Sequence, residues 1–248
     1  MNRERLPRLT QPKIRLNRSR KIIFLLFLFF IILLAVLFFR SDLSKIDRIE
    51  IIGNQYTSLE EIGQAIRIKE GDSYFADTAD RMRARMEKLP TVDKAITSKK
   101  FPGQIHIEIV EFSEVAYSLQ SDGRMMAILS NGEAVHPIKG EPVRYLPVLS
   151  GWDNRSKELN MLCKMLEKIP APLLADISQI IPDPTTSYPD RIRIYTRSYF
   201  EVITSIEYLP EKLDYMRAII GESEPGVITM LLANSYRPYS EQAGETME

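Results

Sequence analysis

The chain has 248 residues, with 33 Lys and Arg balanced by 33 Asp and Glu. Cys163 is its only cysteine, which excludes an intramolecular disulfide and a cysteine-rich metal site. The zero net charge hides a split: residues 1–40 carry nine Lys/Arg and one Asp/Glu, leaving 24 against 32, a net of −8, for residues 41–248.

Residues 1–21 form a basic arm holding eight of those cations, with Pro7 and Pro12 and no apolar period, so it is expected to be disordered. Such a run can bind nucleic acid, but beside a membrane segment it reads as a topology signal. Residues 22–39 come next, eighteen residues without a charge, hydroxyl, amide, Gly or Pro, bounded by Lys21 and Arg40. As a helix this stretch is about 27 Å long, close to the hydrocarbon thickness of a bilayer. The exit, Leu34-Ala35-Val36-Leu37-Phe38-Phe39, lacks the small-residue pair of a signal-peptide cleavage site, so the helix is expected to stay as an anchor. Cations crowd its N-terminal flank and are balanced after it, which puts the N-terminus in the cytoplasm and residues 41–248 outside.

Residues 45–113 read as β-α-α-β-β. The first strand is Ile46–Ile52, closed by Gly53-Asn54. Ser58-Leu59-Glu60-Glu61 is a capping box for a helix expected to bury Leu59, Ile62 and Ile66, with Gly71 closing the segment. A second helix is expected from Asp77 to Leu89, with Ala79, Met82, Met86 and Leu89 inward and Arg81, Arg83, Arg85 and Lys88 in water. Pro90 stops it. Val92–Ser98 is a strand, Phe101-Pro102-Gly103 a turn, and Gln104–Glu111 alternates strictly, with Ile105, Ile107 and Ile109 on one face. That alternation fits a sheet covered on one side.

The basic arm, one apolar helix and this unit directly after it resemble the FtsQ/DivIB family of bacterial division proteins. The unit is similar to their POTRA domain in Gly53-Asn54 after the first strand, and in the Phe-Pro-Gly turn before a strand ending in Glu111.

Residues 114–233 alternate strands and helices in a mainly antiparallel α+β pattern. Strands are expected at Val115–Leu119, Met125–Leu129, Ala134-Val135 after the Asn131-Gly132 hairpin signal, Ile177–Ile181, Arg191–Thr196, Tyr199–Ile203 and, last, Val227–Ala233. Helices are expected near Arg155–Lys168 and Pro210–Ile220. The spacing of Leu159, Leu162, Cys163 and Leu166 makes Cys163 a small core residue rather than a nucleophile. Leu146–Gly151 and Glu211-Lys212-Leu213 resemble segments of the β domain that follows POTRA in the same family. Ile181–Pro189 reads as a loop, and residues 234–248 as a mobile acidic tail.

Chemistry is sparse. His106 shares a strand face with Glu108, with no third ligand placed by spacing, and His136 precedes a proline in a loop. Motifs of zinc proteases, serine hydrolases and P-loop enzymes are missing. Trp152, after Gly151, reads as half-buried packing. Neither an enzyme active site, a cofactor nor a small-molecule substrate is expected.

The family resemblance implies a non-catalytic membrane protein at the division septum that binds partners of the DivIC/FtsB and FtsL type and regulates septal peptidoglycan synthesis. Strand addition to an exposed last strand is the expected mechanism. It assigns partner contacts to Val227, Thr229, Leu231 and Ala233, with Tyr236 and Arg237 just beyond. The POTRA-like strands Ile46–Ile52 and Val92–Ser98 are further candidate edges. The competing readings are a membrane-anchored enzyme acting on peptidoglycan and a POTRA-bearing chaperone or secretion component.

Overall fold

The structure, a computed structural model, describes residues 17–120, 122–138, 145–153 and 156–241. Most of the basic arm (1–16) and the end of the acidic tail (242–248) lie outside the described residues.

The chain divides into two compact units, one of residues 1–50, 68–78 and 98–106, the other of residues 51–67, 79–97 and 107–248. Within the second unit side chains link positions before and after residue 113: the Tyr56 hydroxyl donates to Glu114, Asn131 Nδ2 to the Pro90 carbonyl at 2.8 Å, and Ser113 to Glu167 at 3.1 Å.

In the first unit, α1 (Asn17–Arg40) begins five residues before the apolar run, because Asn17–Lys21 contains no helix breaker and Arg and Lys are good helix formers. Its segment Arg20–Arg40 is the one helix among the described residues long and apolar enough to cross a membrane, and none of it is buried inside the protein. No slack linker separates the helix from the first strand. Ser41 N donates to the Leu37 and Phe38 carbonyls, Asp42–Ser44 makes one 3-10 turn, and Ser44 Oγ donates to Phe39 O at 2.8 Å and Ser41 O at 3.0 Å. Tyr74 N then donates to Ser44 O, and Ile46 N to Asp72 O, both at 2.8 Å. Gly103 accepts Asp47 N at 2.8 Å. Its φ of 67° and a would-be Cβ only 2.7 Å from Lys45 O explain the glycine in the Phe-Pro-Gly turn.

Strands β1 (Arg48–Ile52), β2 (Val92–Lys100) and β3 (Gln104–Glu111) form a three-stranded sheet in the order β1-β3-β2, so β1 and β2 are its two edges. Ile105, Ile107 and Ile109 of central β3 are buried, as their alternation predicts. The capping box at α2 (Leu59–Ile66) is complete, with Glu61 N donating to Ser58 Oγ and Ser58 N to Glu61 Oε2. Leu59, expected inside, is 61% exposed, because it is the first helical residue and points past the core that Ile62 and Ile66 enter. The helix ends at Arg67 in the left-handed region rather than at Gly71. Helix α3 (Ala79–Met86) buries Met82 and Met86. Arg85, expected in water, is half-buried. Its guanidinium donates to the Ala65 carbonyl at 2.9 Å and to that of Ile66, satisfying two of the carbonyls left open at the C-terminus of α2.

The second sheet has nine strands among the described residues: β4 (Glu114–Leu119), β5 (Met125–Leu129), β6 (Ala134–Val135), β7 (Val148–Leu149), β8 (Ile177–Pro182), β9 (Arg191–Thr196), β10 (Glu201–Ser205), β11 (Gly226–Met230) and β12 (Asn234–Pro238). Their order is β12-β11-β10-β9-β8-β7-β4-β5-β6, with parallel pairing at β10–β11, β4–β7 and β7–β8 and antiparallel pairing elsewhere. Helices α4 (Lys157–Leu166), α5 (Ala171–Asp176) and α6 (Leu209–Glu222) supply Leu159, Leu162, Leu166, Leu173 and Met216 to one buried cluster with Ile180, Ile194, Val202 and Ile228 of the sheet. Helix α5 follows Pro170 and contains Pro172. Proline is tolerated in a helix's first turn, and Pro172 stands there. Trp152 is half-buried and its indole N–H donates to the Ile180 carbonyl at 3.1 Å.

Cys163 belongs to the same cluster, and burial pushes its thiol up to about 12. The folded chain should therefore resist maleimide at neutral pH for as long as it stays folded, while denatured chain reacts at once. Mass spectrometry of the alkylated protein measures this, and rapid labelling under native conditions would place the thiol at the surface.

Candidate partner-binding interface

The expected last strand, Val227–Ala233, is neither last nor an edge. It forms as β11, ends at Met230, and lies between β10 and β12. Residues 231–233 turn the chain, and Asn234–Pro238, expected as mobile tail, returns antiparallel as β12. Two features fasten this return. Gly226 leaves room for it, since a Cβ there would stand 2.3 Å from the Arg237 carbonyl oxygen. On α6, Lys212 Nζ donates to the Leu231 carbonyl and, at 2.7 Å, to Asn234 Oδ1, clasping both ends of the turn. That gives a physical reason for the lysine in Glu211-Lys212-Leu213. Among the described residues the edges of the large sheet are therefore β12 and, at the far end, β6.

The hydrogen-bond phase along β12 follows from its two ends. Leu231 N donates to Ala233 O, and Tyr239 N to Pro225 O. In an antiparallel ladder, pairs that exchange hydrogen bonds alternate with pairs that do not. Thr229–Ser235 and Val227–Arg237 are thus bonded pairs, whereas the backbones of Asn234, Tyr236 and Pro238 point away from β11. Asn234 and Tyr236 each offer one N–H and one C=O outward. Pro238 offers only a carbonyl and ends the edge, as prolines at sheet edges do.

The side chains expected at the interface separate by face. Ile228 and Met230 are buried, while Val227 and Thr229 are half-exposed on the side away from the helices. Register places Tyr195, Glu201, Val227 and Arg237 in one row across that open face and Arg193, Ile203, Thr229 and Ser235 in the next. Leu231 and Ala233 sit in the turn. Tyr236 faces the other way, its ring 6.4 Å from that of Phe200 and its hydroxyl donating to the Glu224 carbonyl. The structure thus groups Val227, Thr229 and Arg237 on one surface, and sets Tyr236 apart as a buried-side anchor of β12 whose backbone faces outward.

Charge organises the open face. Asp183 accepts from Arg191 at 3.0 Å and Arg193 at 3.1 Å, and Arg193 also pairs with Glu201. Burial alone would raise the Asp183 carboxyl, but its hydrogen bonds to Arg193 and the two guanidinium charges hold it below the usual carboxylate range. Burial, then the neighbouring Glu201 carboxylate, pushes the Tyr239 phenol up. A depressed native carboxyl stabilises the fold above its unfolded value near ~4, and the stabilisation is lost as pH falls through the native value. The thermal midpoint should accordingly drop on acidification below about pH 4, and Asp183→Asn should flatten part of that drop. Identical acid profiles for the two proteins would mean that Asp183 plays no part in the drop.

Comparison with known proteins bears on the family to which this sheet belongs. Residues 44–112 match the family model described as POTRA domain, FtsQ-type, and residues 116–231 match that of the cell division protein FtsQ/DivIB, C-terminal. The cell division protein DivIB of Paenibacillus polymyxa is 40% identical over 245 residues, covering 99% of this chain and 96% of its own. The chain belongs to the FtsQ/DivIB family. DivIB of Bacillus subtilis is 27% identical over 240 residues, covering 95% and 90% of the two chains. A solved structure of the major extracytoplasmic domain of DivIB from Geobacillus stearothermophilus is 28% identical, covers 44% of this chain and 92% of that one, and superposes with a TM-score of 0.38. The FtsQ/DivIB C-terminal match ends at Leu231, so β12 lies just beyond it. Asn234–Pro238 lacks the apolar alternation that marks a strand in a sequence, so β12 carries no local signal.

Proposed function

We propose that this chain is a non-catalytic member of the division machinery that holds a strand-accepting sheet outside the cell membrane. Helix α1 anchors it as a single-pass protein with a cytoplasmic N-terminus, consistent with the eight cations before the apolar run. Its partners are membrane division proteins of the DivIC/FtsB and FtsL type, as the family resemblance implies, and through them it regulates septal peptidoglycan synthesis.

The observation that carries the reading is the edge position of β12 among the described residues, beside the half-exposed Val227 and Thr229. An extended partner segment would take the outward backbone groups of Asn234 and Tyr236, gaining affinity from main-chain hydrogen bonds. Val227, Thr229 and Arg237 would supply selectivity from the adjoining face. This moves the expected strand addition one strand outward. Anchoring both proteins in one membrane raises their effective concentration, so a short edge suffices for reversible assembly. The edges β1 and β2 of the small sheet offer a second surface, and exchanging residues 45–113 for another POTRA domain tests whether they direct recruitment.

A fluorescent protein fused to the N-terminus should give a band at mid-cell in growing cells. Uniform membrane fluorescence would overturn the division-site role, and fluorescence released outside the cell would overturn the topology.

A further inference from the structure

The membrane-proximal end of the first unit carries a connected row of aromatic rings that the partner-binding role does not use. The rings of Phe38 and Phe39, in the last turn of α1, lie 6.1 and 5.9 Å from that of Phe75. Phe75 stacks edge-on with Tyr74 at 5.2 Å, and Tyr74 with Phe101 at 6.0 Å. Tyr74 is buried, with Lys99 Nζ 4.3 Å above its ring, but Phe75 and Phe101 are each 53% exposed, and Leu43 in the 3-10 turn is 54% exposed. Three large apolar side chains from three separate segments thus lie open around the point where the helix ends.

Their depth follows from the helix. Phe39 is the final residue of the apolar run, so it reaches the boundary of the hydrocarbon. Phe75, one ring away and fixed there by the Tyr74 N to Ser44 O hydrogen bond, stands at the same level. This is the zone where aromatic side chains favour the bilayer–water interface. Arg40 and Lys100 flank the row and are exposed, as cations beside phosphate headgroups would be.

We propose that Phe75, Phe101 and Leu43 form a lipid-docking face that seats the first unit on the outer leaflet around the end of α1. The occupant is the headgroup and upper acyl region of the bilayer, the surface continuous with the one that α1 already enters. The inference rests on the reading that α1 spans the membrane, and the test separates the two.

The native chain suits cysteine labelling, because Cys163 is buried and silent. Full-length Phe75→Cys, Phe101→Cys and Leu33→Cys would each carry a maleimide fluorophore in sparsely loaded vesicles of phosphatidylcholine and phosphatidylglycerol. One quencher is attached to lipid near the carbonyl region, and the other is aqueous iodide. Labels at 75 and 101 should lose more than half their emission to the lipid-borne quencher and little to iodide. The label at Leu33, inside α1, reports insertion itself. Iodide quenching at 75 and 101 with lipid quenching retained at 33 overturns the docking face and leaves the span intact. Iodide quenching at all three overturns both. Protection of 75 and 101 from both quenchers means that protein, not lipid, covers them, and also overturns the proposal. Should either phenylalanine variant fold poorly, Leu43→Cys gives the same readout from a side chain outside the ring row.

Discussion

Glu111→Ala is expected to destabilise the chain by about 3 kcal/mol, the magnitude of losing several hydrogen bonds to one charged acceptor. At the end of β3, the Glu111 carboxylate accepts Gln55 N at 3.0 Å, Tyr56 N at 2.9 Å, Thr57 N at 2.7 Å and Thr57 Oγ1 at 2.6 Å. It therefore organises the whole loop from β1 to α2, including buried Thr57, whose hydroxyl also meets that of Thr91 at 2.6 Å. Gly53 belongs to the same arrangement: its φ is 85°, and a Cβ there would stand 2.2 Å from the Ile109 carbonyl oxygen. Removing the carboxylate leaves three backbone N–H groups and a hydroxyl without their acceptor. The thermal midpoint of the full chain in detergent should fall by roughly 6–12 °C. Glu111→Gln keeps an acceptor and should fall less. A circular dichroism melt unchanged by the alanine variant would mean that water replaces the carboxylate without penalty.

Tyr236→Pro is expected to reduce capture of a DivIC/FtsB-type partner by tenfold or more, equivalent to at least ~1.4 kcal/mol of binding free energy. The substitution deletes an N–H that points away from β11, so it removes a bond to an added strand without removing one inside the sheet. Thr229→Pro does not make this distinction. Thr229 pairs with Ser235 in a bonded register within an interior strand, and its loss would break the sheet itself. Tyr236→Phe serves as the control that keeps the backbone donor while losing the hydroxyl bond to Glu224. If co-purification from membranes is as strong with the proline variant, and its melt remains cooperative, β12 does not accept the partner strand. If the phenylalanine variant loses capture equally, the hydroxyl and its bond to the Glu224 carbonyl matter rather than the edge.

Where burial writes a period into the chain, sequence and structure agree. The isoleucines of β3, the α4 stripe around Cys163 and the alternation of β9 are each set by which side chains must leave water. The capping box of α2 was equally readable, because two side chains three positions apart satisfy each other locally. The features that were not readable depend on distant groups. Strand β12 has almost no apolar content and is held by the β11 ladder, the space at Gly226 and the Lys212 clasp. Arg85 is drawn from water by carbonyls nineteen and twenty positions earlier. The strand expected to be last is therefore an interior one, since nothing local marks the chain's return past residue 233.

The hydrogen-bonded passage from Phe39 through Ser44 to Tyr74 gives the anchor a directional role. With no swivel between them, turning α1 about its own axis in the lipid carries residues 45–50 through the same angle. A helix advances about 100° per residue, so removing one residue from the middle of the apolar run would re-aim the first strand by more than a quarter of a circle. The compass bearing of this strand about the helix axis is thus written in the length of an apolar run that lies wholly before it.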